Sequence, residues 1–350
     1  MVGCGQVDRL SDRLPLSVPH RGGRKGNTMT MLQLRQDAAI ATPAVSPETR
    51  DYLEAVWSPA TRRAYASDMA HFSAWCRDRG QVDMPASPAT VADYIAAMAG
   101  EGFAPSTIGR RLASISQAHQ RAGYDEDNPT RSAGVRLTHK GIRRTLQHRP
   151  RKATALRSSE LRAYFGTLDD SLRAVQARAL LTWGLAGAFR RAELVALDVS
   201  DMAETDEGYL VTVRQSKTDQ EGRGQAKAIV YGKDPATCPV LAMRAWLNAA
   251  GVTTGAVFRP VWPGGKVGDT RLNAVTVSRV VKRAAEALGK DAADFSGHSL
   301  RRGFVTEAFK NDASLHAIAQ QTGHRSMKVL EGYIQDQTIF DGNAVHDIGL

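Results

Sequence analysis

The sequence predicts a mostly helical protein of the α+β class. An all-helical N-terminal domain should precede a mixed, mainly helical domain with a small antiparallel sheet. Three observations lead to this prediction: repeated helix-start signals in the first half of the chain, a long apolar helix in the second half, and one pair of alternating strands. The length of 350 residues also suits two domains of ordinary size.

Ser-Pro pairs mark the helix starts of the N-terminal domain. Each pair places a hydroxyl that can cap a helix before a proline suited to its first turn. Apolar residues then recur at helical spacing, which predicts a helical domain over residues 46–135. Residues 1–45 lack such periodicity and are interpreted as a flexible tail. The pairs are Ser46-Pro47, Ser58-Pro59 and Ser87-Pro88, and the apolar positions are Tyr65, Met69, Phe72, Cys76, Val91, Ile95, Met98, Ile108, Leu112 and Ile115.

The second domain is predicted over residues 155–350. Ser158 or Ser159 should cap a short helix, and a long apolar helix should run from Ser171 to about Gly187. Two alternating, β-branched segments predict a hairpin joined by a polar loop over 216–225. The strands are expected at 209–214 and 226–231, and further helices at 239–250, 276–288, 298–310, 315–321 and 326–335.

The formal net charge of +10 favours a polyanionic partner, with nucleic acid as the leading candidate. The densest basic run, residues 136–154, is interpreted as an interdomain linker that follows a phosphate backbone. A merely solvated basic surface is the alternative for any single pair of these charges. The candidate DNA-binding residues are Arg62, Arg63, Arg110 and Arg111 on the predicted helices, and Lys140, Arg143 and Arg144 in the basic run.

Several classes of protein are disfavoured by what the sequence lacks. No apolar stretch reaches the ~20 residues of a bilayer span, and no signal-peptide core is present, so a cytoplasmic protein is predicted. Three widely spaced cysteines, Cys4, Cys76 and Cys238, fit neither a disulfide framework nor a zinc motif. Neither a phosphate-binding loop nor a carboxylate cluster for Mg²⁺ is found. No metal or other cofactor is therefore expected.

Four short patterns carry candidate catalytic residues. They are GAFRRAEL at 187–194, a lysine in the predicted hairpin loop, HSLRR at 298–302, and TGHRS followed by VLEGYI. Each has a plain structural interpretation by itself, such as an ion pair, a helix cap or a half-buried tyrosine. Their order along the chain is the specific feature.

Together these patterns resemble the tyrosine recombinase, or phage integrase, family. The resemblance runs from about Thr49 to the C-terminus, and the SGHS motif at 296–299 looks most like the Cre-like arm of the family. It implies a site-specific recombinase that cuts and rejoins double-stranded DNA through a 3′-phosphotyrosyl intermediate, without metal or ATP. The family's catalytic positions fall on Arg190, Lys217, His298, Arg301, His324 and Tyr333.

The resemblance also gives the predicted domains their roles. The helical domain would be the core DNA-binding domain, and residues 155–350 would be the catalytic domain. Since the exchange of four strands requires four tyrosines, a homo-tetramer on two recombination sites is expected. Such a protein would act in the cytoplasm, associated with the nucleoid.

Phosphodiester chemistry demands the same residue types. Attack on phosphorus builds negative charge on the non-bridging oxygens, and fixed cations must stabilise it when no metal does. Arg190 and Arg301 would form that clamp, because guanidinium groups grip two oxygens at once. Glu193, one helical turn from Arg190, would position the guanidinium groups rather than react.

Proton transfers account for the other catalytic residues. Lys217, in the hairpin loop, would protonate the departing 5′ oxygen as a general acid. The phenol of Tyr333 must lose its proton on attack, and His298 would accept it because a histidine titrates near neutrality. His324 would donate to the phosphate.

The sequence alone leaves other functions open. A type IB topoisomerase-like enzyme would use the same tyrosine chemistry to relax supercoils, although a helical domain with a basic linker favours a recombinase. A non-catalytic DNA-binding regulator is also possible, because residues 315–333 fit a helix-turn-helix pattern. A regulator, however, would not need the six catalytic positions. A metal site formed by His298, His316 and His324 would lack a carboxylate partner.

Overall fold

The computed structural model describes residues 46–148, 152–214 and 224–324, together with Leu330. The chain divides into two compact units between Arg149 and Pro150. The predicted tail over 1–45 lies outside the described residues, as does the predicted helix over 326–335 except for Leu330. No helix among the described residues has the length and apolarity of a membrane span.

Five α-helices form the described part of the N-terminal unit. The side chain of each predicted serine cap accepts a hydrogen bond from the backbone N–H three residues further on. Proline opens each of the first four helices. The helices are α1 (Pro47–Ala55), α2 (Pro59–Asp78), α3 (Pro88–Gly100), α4 (Pro105–Arg121) and α5 (Ala133–Leu146).

The basic run differs from the predicted linker because most of it is helical. Helix α5 continues to Leu146, and it packs on the core of the N-terminal unit through the buried Val135 and the partly buried Ile142. These two positions are seven residues apart and therefore share one face of the helix. The charges of Arg143 and Arg144 are exposed. The linker prediction was based on mutual repulsion of the charges and did not take these two apolar contacts into account.

Arg111 is turned inward, in contrast to the predicted DNA-facing position. Its side chain is 11% exposed, its Nη1 donates to the Tyr94 hydroxyl at 3.1 Å, and its Nε lies 3.6 Å from Asp68 Oδ1. Asp68 also accepts from Arg110 at 2.6 Å and from the Ser114 hydroxyl at 2.9 Å. Since a buried carboxylate requires such partners, Arg111 belongs to an internal ion cluster.

The C-terminal unit is mixed. Three antiparallel strands lie in the order β1-β2-β3, with Val211 of β2 opposite Lys227 of β3. The two predicted strands of the hairpin are β2 and β3, and β1 was not predicted. The elements are α6 (Ser158–Phe165), α7 (Leu172–Ala186), α8 (Arg191–Ala196), β1 (Met202–Thr205), β2 (Gly208–Val213), β3 (Gln225–Val230), α9 (Pro239–Ala250), α10 (Ala274–Ala287), α11 (His298–Lys310) and α12 (Leu315–Thr322).

Ser158 has a role other than the predicted cap. It is the first helical residue of α6, and Arg157 precedes the helix. The backbone N–H and the hydroxyl of Ser158 both donate to the Glu307 carboxylate, at 2.9 and 2.7 Å. The start of α6 is therefore tied to α11.

Helix α7 forms the centre of the second unit. It is buried around most of its circumference, and the side chain of Trp183 is fully enclosed. The Trp183 indole donates to the Pro239 carbonyl at 2.9 Å, which ties α7 to the start of α9. At Gly184 a Cβ would lie 2.4 Å from Leu300, so the absence of a side chain allows α11 to approach. This contact places Arg301 beside the end of α7.

Candidate active site

The turn between α7 and α8 presents Arg190. Ala188 has a φ of +46°, unusual for a residue with a Cβ, and it turns the chain sharply before α8 begins. Glu193, which is 5% exposed, accepts from both the backbone N–H of Arg190 at 3.0 Å and its Nη1 at 2.5 Å. One carboxylate thus fixes the backbone and the guanidinium group of Arg190.

Arg301 approaches the same turn from α11. Its side chain is 1% exposed, and its Nη1 donates to the Ala188 carbonyl at 2.8 Å. Its Nη2 lies 3.1 Å from Nε2 of His324. Two residues later in α11, a Cβ at Gly303 would lie 2.0 Å from the Leu156 carbonyl oxygen, so only glycine lets the helix lie this close. A buried guanidinium stays charged and needs such partners.

His324 follows the end of α12. Gly323 ends the helix with a φ of +69°, the left-handed conformation that glycine adopts without strain. Nδ1 of His324 lies 2.8 Å from the Thr322 hydroxyl, which donates to the Ile318 carbonyl at 2.7 Å. The Thr322 hydroxyl therefore accepts from Nδ1, and Nε2 is left as the acceptor for Arg301. These contacts assign a neutral ring with its proton on Nδ1.

Electrostatic interactions connect the two histidines with the two arginines. Burial and the positive charges of Arg301 and Arg190 lower the pKa of His324 to about 4. Partial removal from water and the same two charges also lower the pKa of His298, at the start of α11. Both rings are therefore neutral near pH 7. The structure brings four of the six predicted catalytic residues, with Glu193, into one site.

Lys227 is a residue of this site that the sequence interpretation missed. It is 2% exposed and lies on the inward face of β3. Its Nζ donates to the Gly187 carbonyl at 2.8 Å and to the Gln321 carbonyl, and lies 5.0 Å from the centre of the Phe189 ring. Burial, with repulsion from the arginines, lowers its pKa to about 7. The strand alternation was the available signal, since it places Lys227 on the same face as the buried Ile229.

The other two predicted catalytic residues, Lys217 and Tyr333, lie outside the described residues. Leu330, three positions before Tyr333 in the sequence, is fully buried and clusters with Val305 of α11 and Ile318 of α12.

The candidate DNA-binding residues of the N-terminal unit fall into two groups. Those with exposed side chains are Arg62, Arg63, Lys140, Arg143 and Arg144. Arg110 is 45% exposed and Arg111 only 11%, and both are bound to Asp68. The first group therefore presents its side chains to solvent, whereas Arg110 and Arg111 are held by an internal carboxylate.

Comparison with known protein families matches both units. The description "Phage integrase family" applies to residues 154–338, and "Phage integrase, N-terminal SAM-like domain" to residues 51–123. The chain therefore belongs to the phage integrase family. Within that family it is a tyrosine site-specific recombinase, which confirms the resemblance found in the sequence.

Two curated relatives extend over most of the chain. The first is the integrase/recombinase xerD homolog of Selenomonas ruminantium, 35% identical over 304 residues, a match that covers 86% of this chain and 89% of the relative. The second is the recombinase cre of Escherichia phage P1, 24% identical over 323 residues, with 85% and 92% covered. The chain is thus similar to both proteins, and its sequence identity is higher to the XerD homolog than to Cre.

Solved structures confirm the predicted fold class. A lambda integrase tetramer bound to a Holliday junction is similar with a TM-score of 0.53 and 18% identity, covering 86% of this chain and 76% of that chain. XerH recombinase bound to the palindromic difH substrate, in a post-cleavage complex, gives a TM-score of 0.51 and 15% identity, covering 75% and 71%. At these identities the likeness establishes the fold.

Proposed function

We propose that this recombinase cleaves and rejoins double-stranded DNA through a covalent 3′-phosphotyrosine at Tyr333, without metal or ATP. One observation carries the proposal. Arg190 and Arg301 converge beside His324, and each guanidinium group is held by an internal acceptor. Such fixed donors stabilise charge that develops on a phosphate without reorganising during the reaction.

The proposed cleavage is an exchange at phosphorus. The Tyr333 oxygen attacks the scissile phosphate, its proton passes to His298, and the bond from phosphorus to the 5′ oxygen breaks. Lys217 gives a proton to that leaving oxygen. The lowered pKa of His298 supports its role, because a neutral imidazole can accept the proton near pH 7. The phosphotyrosine keeps the energy of the broken linkage, so religation by a 5′ hydroxyl needs no ATP.

The proposed role of His324 requires a change of protonation. In the DNA-free protein Nε2 of His324 accepts from Arg301, so it cannot also donate to a phosphate. A phosphodiester bound between these two side chains would add a negative charge and raise the pKa of His324. We therefore expect phosphate binding to be accompanied by proton uptake at His324, or by transfer of its proton from Nδ1 to Nε2.

The proposed partner is duplex DNA carrying recombination sites. Arg62, Arg63, Lys140, Arg143 and Arg144 would contact its phosphates, supported by their exposure in the N-terminal unit. Arg110 and Arg111 are weaker candidates because both are bound to Asp68. The cytoplasm, in association with the nucleoid, is the proposed location because the substrate lies there.

The proposed active assembly is a homo-tetramer on two sites. The need for four tyrosines in the exchange of four strands supports it, as does the tetrameric state of the related lambda integrase. The sequence after the Tyr333 segment is apolar at Ile339, Phe340, Val345 and Ile348, which suggests a contact between protomers. A chain ending at Asp341 should bind one half-site normally but assemble and recombine poorly. Normal recombination by the truncated protein would refute this role of the tail.

Tyr333→Phe tests the covalent step. Charge contacts over the basic surface dominate affinity, so the variant should bind a site within a factor of a few of the parent. The parent should form a covalent adduct on a nicked suicide substrate, with the 3′ phosphate on the peptide containing Tyr333, and the variant should form none. An adduct at Tyr209 or Tyr231 would overturn the assignment of the nucleophile. Relaxation of supercoils without strand exchange would favour the topoisomerase alternative.

A further inference from the structure

The end of α12 that leads to His324 is capped by side chains of strand β3. Gln225 Nε2 donates to the Gln320 carbonyl at 2.5 Å, and Lys227 Nζ donates to the Gln321 carbonyl. Carbonyls in the last turn of a helix find no N–H donor within the helix, and a cation is favoured at that end. His324 is three residues beyond Gln321.

Lys227 also holds the turn that presents Arg190. Its Nζ donates to the Gly187 carbonyl at 2.8 Å, one residue before Ala188, whose own carbonyl accepts from Arg301. Gln321 strengthens the connection, since its side-chain amide donates to the carbonyls of Ala186 at 2.9 Å and Ala228 at 3.1 Å. One strand therefore contacts both segments that carry the proposed phosphate-binding groups.

Packing alone does not explain a lysine at this position. The side chain is 2% exposed, and burying an ammonium group is costly unless its donors are satisfied. A methionine would fill a similar volume without that cost. The two hydrogen bonds to carbonyls, which only a donor can make, distinguish lysine from an apolar residue here.

We infer that Lys227 is a positioning residue for strand cleavage: its ammonium group fixes the Arg190 turn and the end of α12 in one geometry. The inference rests on the proposed function. As a positioning residue Lys227 transfers no proton, because its donors are directed at two main-chain carbonyls inside the protein. It is therefore separate from Lys217, the proposed general acid.

Lys227→Met tests the inference, with Lys233→Met as the matched control on an exposed lysine of the same segment. Without the two hydrogen bonds to carbonyls, the arginine turn and His324 should move apart. Displacements of about 1 Å cost roughly 100-fold in rate, so Lys227→Met should form the covalent adduct about 10- to 100-fold more slowly. Half-site affinity should stay within a factor of three or so for both variants. An adduct rate equal to that of the control would overturn the inference.

Two further measurements test the positioning role, and the first distinguishes it from acid catalysis. A substrate with sulfur in place of the 5′ bridging oxygen needs no protonation, so the defect of Lys227→Met should persist on it; recovery would make Lys227 the acid and overturn the inference. The pKa of His324, followed by NMR of its imidazole, should rise from about 4 towards 6.5 in Lys227→Met, because the positive charge of Lys227 is lost and the contact with Arg301 loosens. An unchanged His324 pKa would also count against positioning.

A second variant covers the case in which Lys227→Met does not fold. Gln225→Met removes the neighbouring hydrogen bond to Gln320 from a partly exposed side chain, and it should slow adduct formation several-fold. No slowing would then overturn the inference. If the parent protein itself forms no adduct, the proposed function fails, and the two failures are thereby distinguished.

Discussion

Nη2 of Arg301 lies 3.1 Å from Nε2 of His324, so the guanidinium group occupies the ring nitrogen at which the neutral histidine would take up a proton. The opposite ring nitrogen, Nδ1, donates to the Thr322 hydroxyl, so Nε2 is the acceptor. A cation that donates to Nε2 competes with protonation at that atom. The fold therefore keeps His324 neutral in the DNA-free protein, and the low pKa follows from burial together with this arrangement.

Acidification should destabilise the catalytic unit through His324. Its pKa is about 4 when folded and near 6.5 when unfolded, so between these values the unfolded state binds more protons. The free energy of unfolding therefore falls as the pH falls from about 6.5 to 4. Compared with His324→Gln, the parent should lose on the order of 2 kcal/mol more over this range, after allowance for partial exposure.

The measurement is urea unfolding of both proteins at pH 7 and at pH 4.5. Other histidines with lowered pKa values, such as His71, His119 and His298, are present in both proteins and cancel in the difference. A difference that does not change with pH would contradict the assigned state of His324.

Glu193→Gln should slow cleavage without weakening DNA binding. The amide can still accept from the backbone N–H of Arg190, but it lacks the charge that holds the guanidinium group. A less fixed Arg190 should reduce the single-turnover rate of adduct formation about tenfold, which corresponds to roughly 1.4 kcal/mol in the transition state. Glu207→Gln, on the exposed turn between β1 and β2, is the control. Equal rates for the two variants would show that cleavage does not require the Glu193 carboxylate to hold Arg190 in position.

Lys217→Ala should behave in the opposite way to Lys227→Met on a substrate with a sulfur leaving group. On ordinary DNA the loss of a general acid should cost about 10²- to 10⁴-fold in rate. With sulfur at the 5′ bridging position, most of that rate should return, because a thiolate leaves without a proton. Equal defects on both substrates would instead assign Lys217 to phosphate binding.

The sequence was informative wherever local chemistry determines the structure. Ser58 and Ser87 cap helices as predicted, because a cap depends only on the next three residues. The hairpin strands were likewise evident from their alternation. The family resemblance depends on residue types in a fixed order, so it indicates Arg190 and Arg301 without reference to the tertiary structure.

Features that depend on tertiary contacts were missed. Helix α5 was not predicted, because its many charges favoured a linker. Val135 and Ile142 hold it in place only by packing on a core that other helices form. Arg111 was assigned to the surface because the sequence does not reveal its partner Asp68, 43 positions away. Lys227 was passed over since lysine is rarely buried, and its carbonyl partners lie in two distant segments.

Helix α5 should contribute to the nonspecific DNA affinity of the protein. Arg143 and Arg144 are exposed in its last turn, within the basic run that has Arg149 and Arg151 beyond the described residues. Replacing both helical arginines, as Arg143→Gln/Arg144→Gln, should weaken binding to DNA of every sequence by the same factor. If both arginines bind phosphates, the slope of log affinity against log salt should flatten by about 0.9 for each phosphate that the variant no longer neutralises.

The matched control is Arg131→Gln, because Arg131 is 53% exposed but paired with Asp125 at 2.8 Å, and its replacement should leave the slope unchanged. Cations in the last turn also stabilise a helix modestly, so circular dichroism should establish that α5 persists before the slopes are compared. An unchanged slope in the folded double variant would show that α5 does not contact the DNA backbone.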